Sequence, residues 1–141
     1  MVSVINRQRQ RKTNLEQWRT FAAHALAEIG GVKQNATIVL VSDAAITRLN
    51  RQFRGKNYAT DVLSFPSVGE PFEKEVEEAL GEVIISVERA AQQARRNQIS
   101  FAEEMKQLIL HGLLHLSGYD HETDDGEMNR LELKLRRRLG I

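Results

Sequence analysis

The chain has 141 residues, 41% hydrophobic and 28% charged, and its 20 Lys and Arg against 19 Asp and Glu leave a net charge of +1. That composition describes one folded domain, 1–141, long enough to bury a core without cross-links, and excludes a wholesale polycation. With no cysteine, disulfides and thiolate metal ligands are excluded too, which suits a reducing cytosol.

Taken in chain order, residues 2–5 (VSVI) alternate weakly, as a strand would, and lead into Arg7, Arg9, Arg11 and Lys12 rather than into a long apolar run, so no signal peptide is expected. Thr13 with Glu16 reads as a capping box that opens a helix carrying Leu15, Trp18, Ala22, Ala25, Leu26 and Ile29, closed by Gly30-Gly31. Residues 36–41 (ATIVLV) have the pattern of a strand covered on both faces. Ser42-Asp43 caps a short helix through Ile46, Leu49 and Phe53, and a loop follows at 55–58.

Residues 61–65 (DVLSF) predict a strand stopped by Pro66. An acidic connection, 67–78, leads to a strand at 81–86 (GEVIIS), with Ser86 capping a helix over 87–97. Ser100 with Glu103 opens the next helix, and Asp124 with Glu127 opens the last, which ends near Gly140. Strands interleaved with helices imply an α/β (α+β) fold: a single domain with a four-stranded, mostly mixed sheet and about five helices packed on it. The most apolar stretch, 108–116, is too short to span a bilayer and is interrupted by two histidines, so no membrane association is expected.

Those histidines carry the chemistry. His111 and His115 are four apart and share one helix face, within a polar stripe of Glu104 and Gln107 on an otherwise apolar helix. Gly118 permits the left-handed turn that would end this helix and bring His121 back toward the pair. The set H-x-x-x-H-x-x-G-x-x-H predicts a metal site at a helix C-terminus, and three imidazoles without a thiolate suit one Zn²⁺ best. Three protein ligands leave one position for water, whose pKa such a metal lowers toward neutrality; Asp120 or Glu122 as a fourth ligand would make the site structural instead. The zinc proteases with this spacing carry a glutamate after the first histidine, where Gly112 stands here. Its absence favours a phosphate ester over a peptide, because amide cleavage needs a group that carries the proton to the leaving amine. The fourth histidine, His24, has no partner pattern and is expected to be structural or exposed.

Several stretches together resemble the YbeY-type endoribonucleases, the ribosomal RNA maturation factors. They are Leu49-Asn50 through Arg54-Gly55-Lys56, TDVLSFP at 60–66, LGEVIIS at 80–86 and HGLLHLSGYDH at 111–121. The resemblance covers roughly residues 36–132. It implies a zinc-dependent, single-strand-specific endoribonuclease acting in ribosomal RNA 3'-end maturation and ribosome quality control in the bacterial cytoplasm. The partners it implies are ribosomal RNA and the ribosome or its small-subunit proteins.

It further implies His111, His115 and His121 as metal ligands and Arg54 as the functionally important arginine. One departure is Glu82, where the family commonly has aspartate. A guanidinium at Arg54 suits a two-bond grip on phosphate. Thr60, Asp61 and Ser64 are expected to shape the start of the strand, and Tyr58 and Tyr119 to pack at the core or rim rather than stack on bases. Two other readings remain: a non-catalytic ribosome assembly factor with a structural zinc, and a zinc peptidase-like hydrolase.

Overall fold

The structure, a computed structural model, describes residues 1–31, 33–67, 79–120 and 122–141. Strand β1 (Val2–Asn6) is followed by helix α1 (Leu15–Ile29), strand β2 (Asn35–Val41), helix α2 (Asp43–Arg54) and strand β3 (Val62–Pro66). Strand β4 (Ala79–Ser86) then precedes three helices, α3 (Val87–Asn97), α4 (Phe101–Leu116) and α5 (Glu127–Leu139). The mixed sheet and the five described helices are those the sequence predicts. The acidic connection lies, after Ser67, outside the described residues.

The strands stand in the order β1-β2-β4-β3, the first three parallel and β3 antiparallel at the edge. Period-two alternation divides their side chains between two layers. Ile38, Leu40, Val83 and Ile85 enter the main core beneath α1, α4 and α5, whereas Val39, Val41, Leu63 and Ile84 enter a smaller one shared with Ile46 of α2. Pro66 is the last residue of the edge strand rather than a stop before it, tolerated there because edge positions need no inward N–H.

Helix α4 is the centre of the main core. Met105, Ile109, Leu110, Leu113 and Leu114 are fully buried, and each such side chain stabilises the fold by roughly 1.5–3 kcal/mol through the area it removes from water. That burial fixes the rotation of α4 and hence the direction in which its histidines point.

The caps on α2, α3 and α4 are as read: the hydroxyls of Ser42, Ser86 and Ser100 accept from the amides three residues on. Two others differ. The N-cap of α1 is Asn14, which accepts from the Gln17 amide, because the Thr13 hydroxyl is taken by the indole N–H of Trp18 at 2.7 Å. Helix α5 starts at Glu127 after Gly126, and Asp124 acts from farther out, its carboxylate accepting from the amides of Gly126 and Met128.

Candidate active site

His111 and His115 occupy the last two turns of α4, half-buried on the seam between the sheet edge and α5. Their Nε2 atoms converge to 3.2 Å, with the rings inclined at 77°. On the far side of the first ring, Nδ1 of His111 lies 2.9 Å from Oε1 of Glu132, whose side chain is only 7% exposed. The carboxylate accepts the Nδ1 proton, which leaves Nε2 of His111 as an acceptor facing Nε2 of His115. Such an Nε2 takes either an N–H from the neighbouring ring or a cation shared with it. Two nitrogens each about 2.05 Å from a tetrahedral zinc stand about 3.3 Å apart, and a carboxylate behind a ligating imidazole is the usual support of such a site. The pair therefore fits a divalent ion.

After Leu116 the chain turns as expected: Gly118 takes φ 102°, and the amides of Gly118 and Tyr119 bond the carbonyls of His115 and Leu114. His121, the third predicted ligand, lies outside the described residues. Tyr119 packs against the main core, as the rim-packing reading expects, whereas Tyr58 is exposed. His24 is exposed on α1.

Arg54 reaches the histidines through tertiary structure. It is the last residue of α2, and the chain turns at Gly55, whose amide bonds the carbonyls of Asn50 and Arg51. Buried Asn50 then donates from Nδ2 to the Tyr58 carbonyl at 2.9 Å and ties the loop back to the helix. Arg54, Thr60, Asp61, Ser64 and Phe65 line a cavity of about 590 Å³ together with His111, His115, Asp120 and Glu122. A monoanionic phosphodiester would meet cationic, hydroxyl and imidazole groups in the same cavity. Glu82 is exposed in β4 opposite Phe65 and is not among the residues lining the cavity.

Gly112 has a cause the sequence does not display. It lies over the cross-strand pair Ser64–Val83, where an added Cβ would stand 2.6 Å from Val83 Cγ1 and 3.2 Å from Ser64 Oγ. A side chain there would force Val83 to shift, so the missing carboxylate reflects helix–sheet packing and by itself says little about the substrate. The Ser64 hydroxyl donates to the Gly112 carbonyl at 3.3 Å, which makes Ser64 a brace of α4 as well as part of the cavity wall.

Glu132 was missed by sequence reasoning, although a signal was present. Met128, Glu132 and Leu135 fall on the one buried stripe of α5, and a carboxylate on such a stripe must have a partner.

Fold and site together define a class: a single-sheet α+β domain with a helix-borne histidine pair facing an arginine-rimmed polar cavity. Within that class, the family model described as Endoribonuclease YbeY matches residues 3–140, and the chain belongs to that family. Its relatives include an endoribonuclease YbeY of Anaeromyxobacter, 44% identical over 125 residues, covering 87% of this chain and 64% of that protein. Another, from Geobacter metallireducens, is 35% identical over 136 residues, covering 96% and 91% of the two chains. The chain spans just under two thirds of the length of the Anaeromyxobacter protein and of similar ones from Solibacter usitatus and Alkaliphilus metalliredigens. A solution structure from Thermotoga maritima superposes with a TM-score of 0.66 at 32% identity, covering 99% of this chain and 89% of that one. No helix among the described residues is long and apolar enough to cross a membrane.

Proposed function

We propose that residues 1–141 form a metal-dependent endoribonuclease domain that hydrolyses phosphodiester bonds of single-stranded RNA, with Zn²⁺ as its ion. Its substrate is ribosomal RNA, its work 3'-end maturation and ribosome quality control, and its setting the cytoplasm. The convergence of the His111 and His115 Nε2 atoms at 3.2 Å, in one cavity with Arg54, carries this reading.

His111, His115 and His121 would hold the ion. Bound zinc supplies Lewis acidity suited to a phosphodiester. Glu132 keeps His111 in the tautomer that presents the Nε2 lone pair to an ion. Arg54 grips the phosphate and stabilises the negative charge that builds on its non-bridging oxygens during attack. The hydroxyl oxygens of Thr60 and Ser64, whose protons go to Asp61 Oδ1 and the Gly112 carbonyl, add neutral polar surface to the same cavity.

One observation favours a second reading. Asp120 and Glu122 line the cavity beside the histidines, so a carboxylate is at hand to complete a structural zinc in a non-catalytic assembly factor. A peptidase lacks any such support, since packing closes position 112 to a glutamate.

The test is cleavage of defined single-stranded RNA by protein of known metal content. Wild type should cut, His115→Ala should lose both metal and cutting, and Arg54→Ala should keep the metal and lose at least about a hundredfold in rate, as removal of one charge-stabilising donor does elsewhere. Equal cutting by wild type and His115→Ala would assign the activity to a contaminant. A chelated wild type that melts, with no turnover to lose, would favour the assembly factor.

A further inference from the structure

We propose that Phe53 is a stacking platform for one base of single-stranded RNA, held at the lip of the cavity next to Arg54; this rests on the RNA-cleaving reading and names where that substrate is gripped. The sheet-facing stripe of α2 runs through Ile46, Leu49 and Asn50, and Phe53 continues it at helical spacing. Yet Ile46 is 0% exposed and Phe53 59%. The difference arises at the sheet edge. Phe53 meets Phe65 of β3, the edge strand, edge to face with centroids 5.3 Å apart, and among the described residues no further strand lies beyond to cover it. Phe65 and Arg54 both line the cavity, so the exposed ring stands beside the place where a phosphate would be held.

The surroundings decide what covers the ring. Arg54 follows it directly and Lys56 lies in the loop just beyond, both exposed, while Arg48 and Arg51 make the other face of α2 basic; none of the ion pairs among the described residues involves these four. The other basic groups are partly engaged in the fold: Arg11 lies over the Phe101 ring, Arg136 approaches Glu132, and Arg138 pairs with Glu28. An apolar protein interface excludes charge from its centre, whereas this ring stands directly before Arg54 on a helix that carries three exposed arginines. Cations that follow a phosphate backbone, with an aromatic face for a base, are the means by which single strands are held. The ring is also set before any ligand arrives. It packs on Phe65, and the buried Asn50 bond to the Tyr58 carbonyl fixes the loop after it, so little ordering opposes binding.

The experiment measures Kd by fluorescence anisotropy for a single-stranded RNA and for a series of the same sequence, each with one abasic residue. Wild type, Phe53→Leu and Phe53→Trp are compared, with cleavage followed on the same samples and thermal melting confirming that each variant folds. Phe53→Leu, which keeps apolar bulk without a π face, should weaken binding roughly tenfold, and Phe53→Trp should retain it. One abasic position should weaken wild type by a similar factor and leave Phe53→Leu unchanged. Equal affinity of wild type and Phe53→Leu would overturn the proposal and leave the ring to a protein partner, as would abasic losses identical in the two proteins. If base-dependent binding through Phe53 holds while wild type cuts nothing, the platform stands and the nuclease reading alone falls.

Discussion

Nδ1 of His111 and Oε1 of Glu132 stand 2.9 Å apart, joining α4 to α5 across 21 residues of chain. The second helix thereby sets the tautomer of a residue on the first. Nη2 of Arg136, one turn farther along α5, approaches the same carboxylate oxygen at 3.9 Å, so a second group bears on its placement. Glu132→Gln keeps the shape and loses the charge that would make His111 a stronger ligand. Zinc affinity, read by competition with a chromogenic chelator, should fall by roughly 10- to 100-fold, the usual cost of losing a partner behind a ligating imidazole. Circular dichroism should remain unchanged. An unaltered affinity would reduce the pair to a contact between helices.

Gly112 provides a test of packing with an unusual sign. In an exposed helix interior, glycine to alanine stabilises by about 1 kcal/mol. Here the new methyl would lie 2.6 and 3.0 Å from the two γ-carbons of Val83, a β-branched side chain with one stiff torsion. Overpacking of this kind costs about 1–3 kcal/mol, so Gly112→Ala should be neutral to destabilising, by up to about 2 kcal/mol in urea denaturation. In a Val83→Ala background the overlap is relieved and the same change should stabilise. Stabilisation with Val83 intact would show that the helix does not approach the sheet as closely as described.

These two sites also show where sequence reading ends. Local chemistry was legible: Ser42, Ser86 and Ser100 each cap the helix they precede. The i, i+4 histidines share a face as helical spacing demands. Thr13 failed as a cap because its hydroxyl serves Trp18, a competition that spacing alone does not reveal. That Arg54 shares a cavity with the histidines depends on β3, the antiparallel edge, lying between them in sequence and lining the same cavity, so only the family resemblance pointed to it. Gly112 was read as a missing proton carrier because its true constraint, the Ser64–Val83 pair, is distant in sequence. Glu132 was the avoidable omission, since a carboxylate between Met128 and Leu135 on a buried stripe already signals a partner.

Glu104 yields a dependence on pH. It is 4% exposed at the start of α4. Burial raises its pKa above the ordinary carboxyl value, the negative charge of Asp61 raises it further, and the Arg136 guanidinium opposes both. In the unfolded chain the same carboxyl titrates normally. Between the ordinary value and the raised one, the folded protein thus holds a proton that the unfolded chain has lost. Stability contributed by this group is present below that window, declines as pH rises through it, and is absent above it. Glu104→Gln cannot titrate and removes this contribution. Urea denaturation of both proteins over a series of pH values should give curves that diverge across the window, with wild type losing stability relative to Glu104→Gln as pH rises. Parallel curves would mean that the carboxyl is as well solvated in the folded protein as in the unfolded chain, contrary to its burial beside Asp61.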